Sequence, residues 1–168
     1  MPLRNDKIYL VGFMAAGKTT VARALAKRLD WQAVDIDELI EQREHMTVSD
    51  IFAKHGEAYF RAAERQILAE QTLPRHIVVA TGGGTFADGQ NRAAINRDGV
   101  SVWLDVPLDR LVGRVPADGR RPLAADRAGF ERLYYQRRAA YEQAHVRLDA
   151  GRASVDALVE QLVDWLEH

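Results

Sequence analysis

The fold is decided by Ile8-Tyr9-Leu10-Val11-Gly12-Phe13-Met14-Ala15-Ala16-Gly17-Lys18-Thr19, in which an apolar run leads directly into the pattern G-x-x-x-x-G-K-[ST]. This pattern is typical of a strand that turns sharply into a helix while its backbone N–H groups wrap a polyphosphate. The apolar residues that follow recur at helical spacing, at Val21, Ala22, Leu25 and Leu29. The stretch therefore predicts a nucleotide-binding α/β protein.

Each fixed position of this phosphate loop has a physical role. Gly12 permits the sharp turn, and Gly17 permits close approach of the phosphates. Lys18 brings a positive charge to the β- and γ-phosphates, and the Thr19 hydroxyl is a ligand for the Mg²⁺ that accompanies them. The dipole of the helix that starts here adds to the attraction for phosphate.

Length and composition favour one domain. The chain has 168 residues and a formal net charge of −1, so it can bury a core and has no excess of either charge. We expect one domain over residues 1–168 that binds neither nucleic acid nor membrane. The absence of cysteine excludes disulfides and thiolate metal sites. The few residues before the first apolar run leave no room for a signal peptide, so we expect a cytoplasmic monomer.

Short β-type runs alternate with longer helical patterns, which predicts a parallel sheet with helices on both faces. The predicted strands are 8–11, 33–36, 77–80, 100–104 and 146–148. The predicted helices before the last one are 18–29, 37–43, 48–54, 58–73, 91–97, 107–114 and 127–144. The last helix has Ser154 as its predicted N-cap and an apolar stripe at Val155, Leu158, Val159, Leu162 and Leu166.

One segment, residues 115–126, breaks this alternation. It contains turn formers and the adjacent arginines Arg120 and Arg121, and it lacks a convincing period. An irregular surface connection is one interpretation. In a phosphate-binding protein, arginines on such a loop favour a lid that closes over the nucleotide, and we expect this lid at about residues 114–126.

The end of the third strand narrows the class of nucleotide-binding protein. The N-K-x-D signature of GTPases is absent from the chain, so that class is excluded. ATP-driven machines usually place adjacent carboxylates after such a strand, whereas this one ends in Thr81-Gly82-Gly83-Gly84. Glycines at this position let a substrate approach the backbone, although a flexible turn remains the alternative.

The second strand ends in Asp35-Ile36-Asp37, at the sheet edge where ligands bind in open α/β proteins. If the chain is still extended there, both carboxylates point to the same side. Asp35 would then hold Mg²⁺ through water, and Asp37 would accept a hydrogen bond from a substrate hydroxyl. The alternative is that Asp37 caps a helix beginning at Glu38.

Two arginines in helical segments complete the candidate set. Arg61 and Glu64 stand at positions i and i+3, where an ordinary surface ion pair is one interpretation. Arg138 is equally compatible with a solvated helix face. Neither position by itself distinguishes a functional arginine from a surface one.

Together these motifs resemble those of one family, the shikimate kinases. The motifs are the phosphate loop, Asp35-x-Asp37, Phe60-Arg61-x-x-Glu64, Gly82-Gly83-Gly84, Arg121-Pro122-Leu123 and Arg138-Ala139-x-Tyr141, and the resemblance spans residue 8 to about residue 152. It implies a P-loop fold like that of nucleoside monophosphate kinases, with a five-stranded parallel sheet in the order 2-3-1-4-5. It also implies ATP-dependent phosphorylation of the 3-hydroxyl of shikimate, in aromatic amino-acid biosynthesis.

The resemblance assigns roles to individual residues. The expected substrate-binding residues are Asp37, Arg61, Gly82, Gly83, Gly84, Arg121 and Arg138, and the substrate-binding region is expected at about residues 37–64. Arg61 and Arg138 suit the carboxylate of shikimate, because a guanidinium can donate two parallel hydrogen bonds to it. The expected ATP-binding residues are Gly12, Ala15, Ala16, Gly17, Lys18, Thr19, Thr20, Arg114, Arg121 and Arg152. Catalysis is expected from Lys18, Asp37 and Arg121, and Mg²⁺ binding from Thr19 and Asp35.

Two departures from the family pattern lie in the phosphate loop. Ala15 stands where the family commonly has glycine, and a positive φ there would cost roughly 1 to 2 kcal/mol. Thr19 replaces the more frequent serine but retains the hydroxyl. The rival functions are a P-loop kinase of another small acceptor, such as gluconate or a nucleoside monophosphate, and a nucleotide-binding module without catalysis.

Overall fold

The computed structural model describes residues 5–114 and 127–168. Five parallel strands form one sheet in the order β2-β3-β1-β4-β5. The strands are β1 (Lys7–Val11), β2 (Gln32–Asp35), β3 (Ile77–Ala80), β4 (Val100–Asp105) and β5 (Val146–Asp149). The strand order implied by the family resemblance is therefore confirmed.

Helices surround this sheet and give a three-layer α/β/α architecture. They are α1 (Lys18–Leu29), α2 (Ile36–Glu44), α3 (Val48–His55), α4 (Glu57–Glu70), α5 (Gly89–Asp98), α6 (Leu108–Arg114), α7 (Arg127–Tyr141) and α8 (Val155–Glu167). Within the described ranges, no helix combines the length and the apolar character needed to cross a membrane. Apart from Arg114, the predicted lid lies outside the described residues, and so does its Arg121.

The central strands are buried along their whole length, because helices cover both faces of a parallel sheet. Every residue of β1, β3 and β4 is buried, which explains why these strands appear in the sequence as predominantly apolar runs. Residues of both edge strands are partly exposed. The carboxyl ends of the three central strands therefore meet at one edge of a rigid platform, and the loops that follow them carry the site.

The junction of β2 and α2 differs from the expectation. The chain is not extended through Asp37, because α2 already begins at Ile36. Asp35 is the residue that caps this helix, and its Oδ1 accepts a 3.0 Å hydrogen bond from the Glu38 N–H. The alternative in which Asp37 caps the helix is therefore wrong, and the extended segment that would point both carboxylates to one side is not present.

The last helix agrees with its prediction. The Ser154 side chain accepts a hydrogen bond from the Ala157 N–H at 3.1 Å, which satisfies one of the free donors at the helix start. Leu158, Val159 and Leu162 are buried, and Val155 and Leu166 pack at the border of the core. This helix lies against α1 and so supports the element that follows the phosphate loop.

Candidate active site

The phosphate loop has the backbone conformation that its glycines permit. Gly17 has φ 97° and directly precedes α1, and Gly12 has φ 151°. A Cβ on Gly12 would lie 3.0 Å from the carbonyl oxygen of Leu104, so the loop start packs directly on β4. The N–H groups of the first turn of α1 follow this loop, and their positive end attracts phosphate.

Ala15 adopts the strained conformation that was expected to be costly at this position. Its φ is 67°, within the left-handed region that residues with a Cβ avoid. The carbonyl oxygens of Ala15 and Ala16 accept long hydrogen bonds from Arg114, at 3.3 and 3.5 Å. Arg114 therefore lies against the phosphate loop, whereas Arg152 is exposed in the turn between β5 and α8.

Lys18 folds back across the loop. Its Nζ donates to the carbonyl oxygen of Gly12 at 2.6 Å and to that of Phe13 at 3.1 Å, and the side chain is buried. An ammonium held over the loop centre lies where the loop cradles polyphosphate. Thr20, two residues further along α1, is exposed to solvent.

A pair of oxygen ligands forms where β2 ends beside α1. The Thr19 hydroxyl donates to Asp35 Oδ2, while the other carboxylate oxygen caps α2. A hydroxyl and a carboxylate are the hard oxygen ligands that Mg²⁺ prefers. The structure therefore brings the two residues predicted for the metal into direct contact.

The glycine turn after β3, residues 82–84, is the floor of the other half of the site, opposite the phosphate loop. We call this half the acceptor site. A Cβ on Gly82 would lie 2.8 Å from Asp37 Oδ1, and one on Gly84 would lie 2.5 Å from a terminal nitrogen of Arg61. One on Gly83 would lie 3.3 Å from a terminal nitrogen of Arg137 and 3.3 Å from the backbone nitrogen of Met14. The turn thus brings one carboxylate and two guanidinium groups next to the phosphate loop.

Arg61 is oriented by a buried carboxylate on its own helix. Its Nη1 lies 3.2 Å from both oxygens of Glu64, which is fully buried, and its Nη2 lies 3.6 Å from Glu57. The predicted i, i+3 pair is present, but it is not the ordinary surface pair that was considered. Burial of Glu64 makes this ion pair a rigid part of the site.

Arg138 does not join this group. Its Nη1 donates to Asp105 at 3.0 Å and to the Tyr134 hydroxyl at 2.9 Å, and its guanidinium lies over the Trp103 ring. Arg137, one residue earlier on α7, is the arginine that faces Gly83. Arg137 therefore faces the glycine turn and Arg138 does not, because successive helix residues point about 100° apart.

The sequence contained a signal for Arg137 that the motif comparison missed. The buried residues of α7 are Phe130, Tyr134, Arg137 and Tyr141, at spacings of four, three and four. Arg137 thus lies in the apolar stripe of its helix, while Arg138 does not. A charged residue within an apolar stripe indicates a buried functional or paired group.

Arg137 and Arg61 form a convergent pair of positive charges. Burial lowers the pKa of Arg137, and the positive charge of Arg61 lowers it further against the opposing effects of Tyr141 and of nearby carboxylates. The guanidinium remains charged because arginine starts from so high a pKa. Two cations that repel one another beside a glycine floor form a site suited to an anion that hydrogen bonds to both.

Tyr141 and Thr85 were not predicted as site residues, and both hold the glycine turn. The buried Tyr141 hydroxyl donates to the carbonyl oxygen of Gly83 at 2.6 Å, and burial raises the pKa of this phenol. Thr85 Oγ1 accepts from the Gly82 N–H at 2.9 Å. Neither role has a sequence signature of its own, because each depends on which loop the fold brings opposite.

The fold and the site together define a P-loop phosphotransferase, with a donor loop at the end of β1 and a charged acceptor pocket beside it. Comparison with known proteins identifies the family. The family model for shikimate kinase matches residues 14–167. The chain belongs to the shikimate kinase family.

Individual relatives are similar to this chain over most of its length. The shikimate kinase of Persephonella marina is 38% identical over 162 residues, covering 96% of this chain and 98% of that protein. The shikimate kinase of Gloeobacter violaceus is 43% identical over 152 residues, covering 88% and 85%. The structure of Acinetobacter baumannii shikimate kinase in complex with shikimate has a TM-score of 0.91 at 33% identity, covering 97% of this chain and 93% of that one.

Proposed function

We propose that this chain transfers the γ-phosphoryl group of ATP to the 3-hydroxyl of shikimate, giving shikimate 3-phosphate and ADP in aromatic amino-acid biosynthesis. The observation that carries the proposal is the glycine turn, which brings Asp37, Arg61 and Arg137 together and packs on Met14 of the phosphate loop. Family membership supplies the acceptor. The pair of arginines suits the carboxylate of a hydroxylated carboxylic acid, and the carboxylate of Asp37 suits its hydroxyl.

The carboxylate of shikimate would be held by Arg61 and Arg137. Both guanidinium groups are restrained before the substrate arrives, Arg61 by Glu64 and Arg137 by burial on α7. Restrained cations lose little side-chain entropy on binding, so more of the interaction energy orients the substrate. This arrangement would leave the ring hydroxyls facing Asp37 and the phosphate loop.

Asp37 would orient the attacking hydroxyl and accept its proton as the new oxygen–phosphorus bond forms. Lys18 would leave its contacts with the loop carbonyls and stabilise the negative charge of the migrating phosphoryl group. Arg121 remains the proposed lid arginine, and Arg114 and Arg152 the proposed residues near adenine. Most of the rate enhancement would come from positioning and electrostatics.

The residues at the end of β2 fit a magnesium ion that arrives with ATP. Thr19 and Asp35 would hold it, because their hydroxyl and carboxylate oxygens already lie together beside the phosphate loop. When bound, the ion neutralises charge on the β- and γ-phosphates. Substrate binding and proton transfer would be carried out by Arg61, Arg137 and Asp37.

A coupled assay of ADP release, with shikimate, gluconate and several nucleoside monophosphates as acceptors, tests this function. We expect release that depends on shikimate and on Mg²⁺, with little release for the other acceptors. Turnover restricted to gluconate or a nucleoside monophosphate would contradict the proposal. ATP binding without any acceptor-dependent release would indicate a nucleotide-binding module instead.

A further inference from the structure

Thr85 links the two sides of the acceptor site through its hydroxyl. Its Oγ1 accepts the Gly82 N–H at 2.9 Å and donates to Glu64 Oε2 at 2.8 Å. Thr85 and Glu64 are both fully buried. The hydroxyl therefore connects the glycine turn after β3 with the carboxylate that orients Arg61 on α4.

The direction of this connection is fixed by chemistry. A hydroxyl has one hydrogen, and since it accepts from a backbone N–H it is free to donate to the carboxylate. Glu64 then has one oxygen bonded to Thr85, and both of its oxygens lie 3.2 Å from Arg61 Nη1. Removing the hydroxyl would leave the buried Gly82 N–H without its acceptor and take one of its hydrogen bonds from Glu64, so that the carboxylate is freer to rotate.

We propose that Thr85 is a positioning residue for the acceptor arginine. Its hydroxyl holds Glu64, and through Glu64 the Arg61 guanidinium, in register with the glycine turn. The proposal rests on the proposed function, because Arg61 is assigned to the carboxylate of shikimate. Thr85 itself acts through Arg61 and is not assigned a contact with the substrate.

The backbone of Thr85 is held independently of its side chain. Asn91 Nδ2 donates to the Thr85 carbonyl oxygen at 3.2 Å, and the Thr85 N–H donates to the carbonyl oxygen of Gly82 at 3.3 Å. Loss of the hydroxyl should therefore leave the turn in place. The expected defect is a misaligned Arg61, which weakens the grip on shikimate more than the grip on ATP.

Thr81 offers a matched control in the same segment. It is buried, and its hydroxyl donates to the carbonyl oxygen of Leu10 at 2.9 Å, away from Glu64 and Arg61. Thr81→Val thus makes the same chemical change and removes one buried hydrogen bond. It should lower stability by an amount similar to Thr85→Val without altering the acceptor site.

Steady-state kinetics with shikimate varied at saturating ATP, and then with ATP varied, tests the proposal. For Thr85→Val we expect the shikimate KM to rise about tenfold while the ATP KM changes less than about twofold. Thr85→Ser should restore most of the shikimate KM, and Thr81→Val should keep the wild-type value. If Thr85→Val does not fold, Thr85→Ala is used instead, because it removes the hydroxyl without adding the second methyl group of valine.

A double-mutant cycle with Glu64→Gln separates positioning from a general structural effect. We expect the effects of Thr85→Val and Glu64→Gln on the shikimate KM to be non-additive, because both break one chain of contacts. Additive effects, or a Thr85→Val shikimate KM equal to that of Thr81→Val, would overturn the proposal. A wild-type chain that does not phosphorylate shikimate would instead defeat the proposed function.

Discussion

Ala15 shows how one residue can carry strain within the phosphate loop. At φ 67° its Cβ is crowded by the backbone, and a glycine has no such penalty. We expect Ala15→Gly to raise the free energy of unfolding by about 0.5 to 1 kcal/mol, the net of relieved strain and the greater entropy of the unfolded chain. Urea denaturation of both proteins measures this difference.

Ala16→Gly is the control for that measurement. Ala16 is buried and does not have a positive φ, so glycine removes a packed methyl group and relieves nothing. We expect this variant to lose about 1 kcal/mol. If both variants shift the unfolding midpoint in the same direction, strain at Ala15 is not the cause.

Gly84 lies directly under the Arg61 guanidinium. A methyl group there would meet Arg61 at 2.5 Å, and the group that must move is the far end of a flexible side chain. We expect Gly84→Ala to raise the shikimate KM about tenfold and to lower the free energy of unfolding by about 1 to 3 kcal/mol, because Arg61 must shift from the buried Glu64. Kinetics and urea denaturation on the same preparation check both parts.

Gly89→Ala serves as the comparison for Gly84. Its added methyl would meet only Arg92, at 3.7 Å, outside the acceptor site. The shikimate KM of this variant should equal that of the wild type. A Gly84→Ala enzyme with an unchanged shikimate KM would show that Arg61 does not grip the substrate from its observed position.

At the scale of the element, α8 shows a prediction that sequence alone makes well. Its N-cap and its apolar stripe depend only on residues within the helix, so the local pattern is sufficient. We expect Ser154→Ala to lower the free energy of unfolding by about 1 kcal/mol, because the Ala157 N–H loses its acceptor. Ser154→Asp should retain most of the stability. If urea denaturation gives the aspartate variant a lower free energy of unfolding than the alanine variant, the Ser154 side chain does not cap the helix.

Helix α7 carries two adjacent arginines, Arg137 and Arg138, that a short sequence motif does not distinguish. The two adjacent arginines have the same chemistry, and only the phase of the helix decides which one faces the site. The apolar positions Phe130, Tyr134 and Tyr141 indicate which face of the helix is buried, whereas the short motif around Arg138 does not. The roles of Thr85 and Tyr141 could not be predicted in this way, because their partners are separated from them in the chain and meet only in the fold.

The end of β2 shows a second limit. Whether Asp35 or Asp37 caps α2 depends on the residue at which the strand stops, and hydrogen bonds to β3 determine this. Local propensity does not specify that point. The fold itself was predictable, because alternating apolar runs and helical patterns specify a parallel sheet, while the strand order came from the family resemblance.

At the scale of the whole molecule, a buried ion cluster joins β1, the loop before β3 and the end of α5. Asp98 accepts from the Tyr9 hydroxyl at 2.6 Å and lies 2.8 Å from Lys7 Nζ and 2.7 Å from Arg75. Burial by itself raises the pKa of Asp98, but hydrogen bonds from Lys7, Tyr9 and Arg75 outweigh it and lower the pKa below its ordinary 3.8.

This lowered pKa predicts how stability depends on pH. A carboxyl whose pKa is lower in the folded chain stabilises it fully above pH 3.8, and that contribution is lost as pH falls through the folded pKa. We expect Asp98→Asn to lower the free energy of unfolding by about 3 kcal/mol at pH 7, because Lys7 remains buried beside a neutral group. In urea denaturation at pH 3, the difference in free energy of unfolding between this variant and the wild type should be smaller. A difference that stays constant with pH would contradict the role of Asp98.

In the proposed pocket, Arg61 and Arg137 hold the carboxylate of shikimate while its hydroxyl is phosphorylated. The most direct test compares kcat/KM for shikimate in Arg137→Ala and Arg138→Ala. Arg137→Ala should lose about 100-fold, whereas Arg138→Ala should stay within about threefold, because Asp105 keeps its 2.6 Å ion pair with Arg147. A wild-type-like Arg137→Ala enzyme, or a larger loss in Arg138→Ala, would contradict this account.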